Sequence, residues 1–194
     1  MLNIEKTIKD NIKVKKKILD TLLPNINSAC ELMLKSSLNG KKIKWCGNGG
    51  SAADSQHMSA ELVGGLRSHE RKPIASISLT TDTSFITAWA NDTGYTTIFS
   101  RQLEAIGNSG DVLVAISTSG NSKNIIKAVD YALKNKIKVI VLTGGTSGAM
   151  KSIGDVNICV PSHDTQRIQE SHLLIEHILC ESLEKSIIDH YKIE

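Results

Sequence analysis

The feature that most constrains the fold is a short apolar run, followed by a hydroxyl-rich loop and an amphipathic helix, within residues 111–134. Residues 111–116 (DVLVAI) are rich in β-branched side chains and almost continuously apolar, which is typical of a parallel strand buried on both faces. After residue 124 the apolar residues recur with the period of an amphipathic helix, whose first turn Asn121 or Ser122 can cap. A strand that leads directly into a helix in this way indicates an α/β fold.

The loop between this strand and helix, residues 117–122 (STSGNS), brings hydroxyl groups and backbone N–H groups to the positive end of a helix. Hydroxyl and amide side chains are common helix caps, so an ordinary turn is one interpretation. The other interpretation is an anion-binding site beyond the carboxyl end of a strand, where ligands bind in open parallel sheets.

A second loop of similar chemistry, residues 47–51 (GNGGS), follows a short strand over 43–46 and precedes another helix. Two such loops in one α/β domain favour phosphate binding over an ordinary turn. Neither loop continues into the Gly-Lys-Ser/Thr of a Walker loop, and neither has the G-x-G-x-x-G spacing of a dinucleotide site. The expected ligand is therefore a small phosphorylated molecule and not a nucleotide.

The rest of the chain alternates strands and helices, which predicts a three-layer, doubly wound α/β fold with five parallel strands. The expected strands are 43–47, 74–79, 111–117, 137–142 and 155–160. The expected helices are 51–63, 83–90, 95–106, 121–134 and 166–190, with a short one near 147–152. Five such strands favour the flavodoxin-like order 2-1-3-4-5, with a crevice where the first and third strands diverge.

Residues 1–40 precede the first strand and carry apolar positions at helical spacing, with a break near Pro24. Two helices are therefore expected ahead of the sheet. One small domain does not fully cover their apolar faces, so we expect this helical extension to take part in oligomerisation. The length of 194 residues predicts a single domain over residues 1–194, extension included.

Composition excludes several classes of function. The net charge of +3 is too small to indicate a nucleic-acid partner, and no apolar stretch of about 18 residues predicts a membrane span. The chain shows no charged-then-apolar leader. Its four cysteines lie far apart without a C-x-x-C pair, which favours free thiols in a reducing compartment. We therefore expect a cytoplasmic protein.

Ionisable residues occur at helical spacing in two places. His57 and Glu61 are four residues apart in the helix after the loop at 47–51, so their side chains project from one face. Such a pair can hold a metal ion, place a base beside an acid, or form a surface ion pair. In the last helix, polar residues interrupt a core-like pattern, and spacing alone leaves open which of them face a site: Gln169, Glu170, His172, Glu176 and His177.

Four segments carry a family resemblance that extends over nearly the whole chain. They are CGNGGSAAD at 46–54 with His57 and Glu61, NDTGY at 91–95, ISTSGNS at 116–122, and RIQESH at 167–172 with His177. Together they closely resemble the sedoheptulose 7-phosphate isomerases, which belong to the sugar isomerase (SIS) domain family. The serine-rich loop recurs across SIS domains with different functions, whereas the segments at 46–54 and 167–172 are much narrower in distribution.

The resemblance implies an aldose-ketose isomerase that converts sedoheptulose 7-phosphate to D-glycero-D-manno-heptose 7-phosphate through an enediol. This reaction is the first committed step toward nucleotide-activated heptose for bacterial surface polysaccharides. The resemblance also implies a cytoplasmic homotetramer whose sites are shared between subunits, with one Zn²⁺ per subunit.

Family roles carry over to matching positions of this sequence. The phosphate ligands would be Ser117, Thr118, Ser119 and Ser122. The sugar pocket would comprise Asn48, Gly49, Gly50, Ser51, Glu61, Asn91, Asp92 and Gln169. The acid/base pair would be Glu61 and His177, and the zinc ligands would be His57, Glu61, Gln169 and His177. Gln169 and His177 are separated by roughly 12 Å of helix rise, so a shared ion requires their side chains to lean toward each other.

Two other functions stay open. A non-catalytic SIS protein that binds a phosphosugar or another protein, as in control of replication initiation or transcription, needs the phosphate loops but no acid and base facing one pocket. An isomerase of another sugar phosphate, with six carbons or an amino group, is disfavoured only by the resemblance of the helix at 167–177.

Overall fold

A computed structural model describes residues 3–193 and shows one all-parallel sheet in the order β2-β1-β3-β4-β5. The strands are β1 (Ile43–Cys46), β2 (Ser76–Ser78), β3 (Val112–Ile116), β4 (Lys138–Gly144) and β5 (Val156–Val160). Each overlaps a predicted strand, and the predicted order 2-1-3-4-5 is confirmed. The strand order reverses between β1 and β3, which pair directly, so this is where a ligand crevice is expected.

The helices are α1 (Ile4–Thr21), α2 (Leu23–Leu38), α3 (Gly50–Gly64), α4 (Thr83–Asp92), α5 (Ile98–Ile106), α6 (Lys123–Lys134) and α7 (Thr165–Ile193). Pro24 lies in the first turn of α2, where its missing N–H is tolerated, and so separates α1 from α2 as expected. The helix predicted over 95–106 begins as a 3₁₀ turn at Tyr95–Thr97, held by a bond from the Trp89 indole to Thr97 Oγ1 at 2.9 Å. Across residues 3–193, every helix is too short or too polar to cross a bilayer.

Alternating side chains of the strands pack into two cores, one on each face of the sheet. Trp45 and Val114 belong to the core under α1, α2, α3 and α7, whereas Cys46 and Ala115 belong to the core under α5 and α6. Strands buried on both faces explain why their sequences are almost continuously apolar. The predicted three-layer arrangement is therefore confirmed.

The N-terminal helices are covered on one side only. Val14 and Ile18 of α1 are buried, but Ile4, Ile8 and Ile12, at intervals of four residues, are 70%, 56% and 47% exposed. Residues at this spacing share one face of a helix, so α1 presents an apolar stripe to solvent.

A buried ion pair joins the amino-terminal ends of β1 and β3. The Lys44 ammonium bonds to the Asp111 carboxylate, and both side chains are almost fully buried. Asp111 also accepts the N–H groups of Lys42 and Asn108, each at 2.9 Å. Burial alone would raise the pKa of Asp111, but these hydrogen bonds together lower it. The pair thereby fixes the two strands whose carboxyl ends carry the candidate phosphate loops.

Lys44→Met should destabilise the fold by about 3–5 kcal/mol, because it leaves the Asp111 carboxylate buried without its counter-charge. Urea unfolding followed by circular dichroism measures the change. Arg101→Met is the matched control, since Arg101 pairs with Glu104 at the surface and an exposed pair contributes about 0–1 kcal/mol. Equal losses in the two variants would contradict a special contribution from the buried pair.

Candidate active site

The two loops predicted to bind phosphate lie side by side at the carboxyl edge of the sheet. Cys46 at the end of β1 is in register with Ala115 of β3, so residues 47–50 and 117–122 leave the sheet next to each other. Asn48 in the first loop and Asn124 in the first turn of α6 exchange two amide hydrogen bonds, at 2.8 and 3.0 Å. The predicted juxtaposition of the loops is therefore present, and a side-chain pair fixes it.

The loop at 117–122 is shaped to receive an anion. Within residues 3–193, the N–H groups of Thr118, Ser119, Ser122 and Lys123 donate to no protein acceptor. Gly120 has φ +66° and packs so closely against the backbone of Ser147 that a Cβ would collide with it. Unpaired N–H groups at the start of a helix form an anion-binding site together with the hydroxyl groups around them.

Ser122 occupies the predicted N-cap position of α6 but does not cap the helix with its side chain. Its hydroxyl instead bonds to Ser117 Oγ at 2.9 Å. Asn121, the other predicted cap, uses its Oδ1 to accept the N–H of Ala149. The expectation of a side-chain cap is wrong, because both candidates have partners elsewhere, and the helix end stays free for a ligand.

The loop at 47–50 leads into α3 through Gly49, which has φ +56° and occupies the N-cap position. The N–H groups of Gly49 and Gly50 have no acceptor among the residues that the structure describes. Gly50 touches the Gln169 side chain of α7, so that a Cβ at this position would overlap the amide. The predicted residues Asn48, Gly49, Gly50 and Gln169 thus lie together.

Helices α3 and α7 pack in parallel, and this brings three predicted residues together. His57 Nε2 lies 3.0 Å from Glu61 Oε1, and the imidazole rings of His57 and His177 meet edge to face with centroids 5.0 Å apart. His177 Nδ1 donates to the Leu173 carbonyl at 2.9 Å, which leaves Nε2 free. The predicted acid/base residues Glu61 and His177 therefore belong to one cluster with His57.

The structure also shows which residues of the last helix are buried in the protein. His172 is fully buried, with Nε2 bonded to the Thr143 carbonyl at 3.0 Å, and burial lowers its pKa to about 4. Glu176 is fully buried as well, and burial raises its pKa well above the ordinary value. In both residues burial disfavours the charged form of the side chain.

The four residues predicted as zinc ligands lie on the facing helices α3 and α7. Gln169 lies beside Gly50 and hydrogen bonds to Asp54, whose carboxyl group also interacts electrostatically with His57 and His177. No three His, Cys, Asp or Glu side chains in the described part of the chain are grouped so that they could hold a metal ion. Side-chain movement is therefore needed before one ion can contact all four.

Asn91 and Asp92 are exposed at the end of α4 and bond to each other, at 2.8 Å. Among the described residues, neither has a polar contact with the two loops. Ser51 is buried in the first turn of α3. The structure thus gathers the predicted residues of β1, β3, α3 and α7 but leaves the α4 pair apart.

Three residues near the site were not assigned a role by sequence. Asp54 lies four residues after Gly50 on α3 and hydrogen bonds to Gln169, and burial raises its pKa despite that bond. Asp54 precedes His57 by three residues, so sequence spacing alone places the two residues on one face of the helix. Tyr95 donates its hydroxyl to Asn48 Oδ1 at 3.2 Å, and Asn124 bonds to Asn48 as above. Neither contact is visible in sequence spacing.

A buried pair ties the segment after α3 to α7. Arg71 Nε bonds to Glu184 Oε1 at 2.6 Å, and both side chains are at most 3% exposed. Glu184 also accepts the N–H groups of Leu66 and Arg67, at 3.0 and 2.7 Å. Arg71 in turn donates to the carbonyl of Glu61 at 2.9 Å. This network therefore holds the end of α3 that carries Glu61 against the helix that carries His177.

Taken together, these features define a class of protein. The parallel sheet has two loops with unpaired backbone N–H groups at the point where its strand order reverses. Such loops are suited to bind a small phosphorylated molecule. A carboxylate and an imidazole in one cluster are suited to transfer protons. The class is therefore that of α/β proteins acting on phosphorylated metabolites.

Comparison with known proteins narrows this class. A family model described as SIS domain matches residues 8–144. The phosphoheptose isomerase of Aromatoleum aromaticum is 50% identical over 184 residues, which cover 93% of this chain and 92% of that protein. The structure of phosphoheptose isomerase GmhA from Neisseria gonorrhoeae superposes with a TM-score of 0.87 at 42% identity, over 94% of this chain and 97% of that one. A phosphoheptose isomerase from Francisella tularensis gives 0.91 at 38% identity, over 95% and 100%.

The chain belongs to the SIS domain family and, within it, to the phosphoheptose isomerases.

Glu184→Gln should flatten the acid dependence of stability. Burial would raise the pKa of Glu184, but hydrogen bonds from Arg71, Arg67 and Leu66 lower it below its ordinary value. A lowered folded-state pKa stabilises the protein fully above the unfolded value of about 4.3, and this stabilisation is lost as the pH falls through the folded pKa. Urea unfolding between pH 7 and pH 3 should therefore show a shallower decline in the variant, which is also less stable at pH 7.

The control for this titration is Glu181→Gln, because Glu181 lies on the same helix and pairs with Arg67 but is half exposed. It should follow the wild-type pH dependence. Parallel curves for Glu184→Gln and wild type would show that the Glu184 carboxylate does not stabilise the fold in this way.

Proposed function

We propose that the protein converts sedoheptulose 7-phosphate to D-glycero-D-manno-heptose 7-phosphate by proton transfer through an enediol. The observation that carries this proposal is the cluster of Glu61, His57 and His177, in a chain that also has two loops ready for a phosphate. Interconversion of a ketose and an aldose moves a proton between two neighbouring carbons, which needs an acid and a base at one place. The close phosphoheptose isomerase relatives support the choice of substrate.

In this proposal the loop at 117–122 holds the phosphate through its free N–H groups and the hydroxyl groups of Ser117, Thr118, Ser119 and Ser122. Of these four side chains, Ser119 is exposed, Thr118 and Ser122 are half-exposed, and Ser117 is buried. A phosphate held away from the reacting carbons orients the other end of the substrate, and its binding energy lowers the barrier to the proton transfer. The sugar contacts are assigned to Asn48, Gly49, Gly50, Ser51, Glu61, Asn91, Asp92 and Gln169.

Glu61 and His177 are proposed as the acid/base pair. Glu61 retains 21% exposure of its side chain, so substrate can reach it, and it lies beside His57. With Nδ1 bonded to the Leu173 carbonyl, Nε2 of His177 is the nitrogen that can accept or donate a proton whenever it is not bound to zinc. The two groups come from different helices, so each can face a different atom of the substrate.

We further propose that one Zn²⁺ per subunit binds His57, Glu61, Gln169 and His177. Nitrogen and oxygen donors suit zinc, and the carbonyl bond to His177 Nδ1 is the kind of contact that orients a ligating imidazole. Because no three His, Cys, Asp or Glu side chains of the described residues are grouped around one point, side chains must move to share the ion. When bound, zinc supplies Lewis-acid stabilisation of a developing oxyanion.

The assembly proposed is a cytoplasmic homotetramer with active sites shared between subunits, built from a single SIS domain over 1–194 whose residues 1–40 take part in the contacts. The exposed stripe of Ile4, Ile8 and Ile12 supports an interface on α1. Helix α4 has no fully buried residue although it contains Phe85 and Trp89, which supports a second contact surface. Asn91 and Asp92, which have no polar contact with the loops among the described residues, would then reach the site of a neighbouring copy.

Neither alternative function gains support from these findings. A non-catalytic regulator has no need for the clustered carboxylate and imidazole, and the relatives of high identity are phosphoheptose isomerases. The phosphoheptose isomerase relatives at 50% and 42% identity likewise give no support to an isomerase of another sugar phosphate.

Purified protein incubated with sedoheptulose 7-phosphate should yield the aldoheptose phosphate, detected by NMR. Glu61→Gln keeps the size of the side chain but removes the base, so kcat should fall by about 10²-fold or more with unchanged folding. Glu31→Gln, an exposed carboxylate of α2, is the control and should retain full turnover. Wild-type protein that forms no aldoheptose phosphate would refute the proposed reaction, whereas full turnover by Glu61→Gln would refute only the role of Glu61.

Zinc content provides a separate test of the metal proposal. Protein dialysed against zinc should retain about one ion per subunit in elemental analysis, and His57→Ala should lose most of it because one of four ligands is gone. His69→Ala is the control, since His69 lies in the exposed segment after α3. Equal zinc content in the two variants would show that the ion binds elsewhere or adventitiously.

A further inference from the structure

Asn124 is a buried polar residue in a position that none of the assigned roles explains. It is 4% exposed, lies in the first turn of α6 directly after the phosphate loop, and points toward the neighbouring loop at 47–50. Its Oδ1 accepts from Asn48 Nδ2 at 3.0 Å, and its Nδ2 donates to Asn48 Oδ1 at 2.8 Å. Buried amides are retained where their hydrogen bonds fix a conformation that apolar packing does not.

Counting hydrogen bonds shows what this pairing does to Asn48. An asparagine carbonyl oxygen accepts two bonds, and Asn48 Oδ1 already accepts one from Asn124 and one from the Tyr95 hydroxyl, at 3.2 Å. The Asn48 amide nitrogen has two hydrogens, and one of them is given to Asn124. At most one N–H of this side chain is left for a ligand.

In contrast to the Asn48 side chain, the backbone of the same loop has N–H groups without protein partners among the described residues. The N–H groups of Gly49 and Gly50 have no protein acceptor within residues 3–193, and the φ of +56° at Gly49 sets the direction in which they point. A glycine pair is conformationally loose unless something fixes the loop beside it. The side chain of Asn48, with its carbonyl oxygen saturated and one N–H bonded to Asn124, is the group placed to do so.

We propose that Asn124 is a positioning residue of the active site. It locks the Asn48 side chain so that the loop at 47–50 presents its backbone N–H groups to the sugar, and it couples this loop to the helix on which the phosphate loop ends. The inference rests on the proposed function, and it changes the role of Asn48 from a direct sugar ligand to a support for Gly49 and Gly50. Tyr95 completes the support from the side of α4.

The test is a double-mutant cycle on Asn48 and Asn124 with isomerase kinetics. Asn124→Ala should lower kcat at least 10-fold, because small misplacement of a binding loop costs about that much or more. The Kd for inorganic phosphate, measured calorimetrically, should stay within about 3-fold of wild type, since the ligands at 117–122 are intact. A variant that had merely lost structure would lose phosphate binding as well.

The cycle then distinguishes a shared role from two separate ones. If Asn48 acts on the substrate only through its pairing with Asn124, Asn48→Ala and the double variant should each show the loss of Asn124→Ala within about 2-fold, because contacting residues of one unit are non-additive. A double variant whose fold-loss in kcat equals the product of the two single losses would overturn the proposal. A wild-type kcat in Asn124→Ala would do the same. A wild-type protein without isomerase activity would instead refute the proposed function.

Two further variants keep the proposal testable if Asn124→Ala does not fold. Tyr95→Phe removes only a hydroxyl from a side chain that is 52% exposed, so it leaves the fold intact and should lower kcat a few-fold by freeing one lone pair of Asn48. Asn135→Ala, at the other end of α6, is the matched control and should be as active as wild type. Unchanged kcat in Tyr95→Phe together with an unfolded Asn124→Ala would count against the positioning role.

Discussion

The direct pairing of β1 with β3 is the constraint on which the rest of the structure depends. Because these strands are neighbours although β2 lies between them in sequence, the loops at 47–50 and 117–122 meet at one edge of the sheet. The buried Lys44–Asp111 pair fixes their amino-terminal ends, and the Asn48–Asn124 pair fixes the loops beyond their carboxyl ends. Polar contacts thus determine the register at both ends of an otherwise apolar strand pair, where hydrophobic packing alone would tolerate small shifts.

The second constraint is the parallel packing of α3 against α7. The two helices carry their functional residues in matching order, with Gly50 against Gln169 near their starts and His57 against His177 further on. The Arg71–Glu184 ion pair joins the segment after α3 to α7 beyond these contacts. Gln169 and His177 of α7 therefore each face a predicted residue of α3, at similar spacings of eight residues in α7 and seven in α3.

Much of this arrangement could be predicted from the sequence, because it depends on local signals. Continuous β-branched runs identified the strands, and glycine- and serine-rich segments identified both loops at the ends of β1 and β3. The i, i+4 spacing of His57 and Glu61 placed them on one face of a helix.

Contacts between distant segments could not be predicted in the same way. Asn124 and Tyr95 contact Asn48 at separations of 76 and 47 residues, and Glu184 contacts Leu66 at a separation of 118, and no periodicity in the sequence predicts such partners. The caps proposed at Asn121 and Ser122 failed for the same reason, since Ala149 and Ser117 compete for those side chains.

Distances along α3 give a physical reason to consider more than one chain at the site. Glu61 lies eleven residues beyond Gly50, which corresponds to roughly 16 Å of helix rise, and the imidazole of His177 lies beside His57, one turn before Glu61. A base so far from the loops of its own subunit is poorly placed for a substrate whose phosphate those loops hold. A neighbouring copy that brings its own loops toward Glu61 removes this difficulty, and it also gives Asn91 and Asp92 a site to reach. The uncovered faces of α1 and α4 are where such a copy would be accommodated, so the proposed shared sites and the exposed apolar stripe are explained by one arrangement.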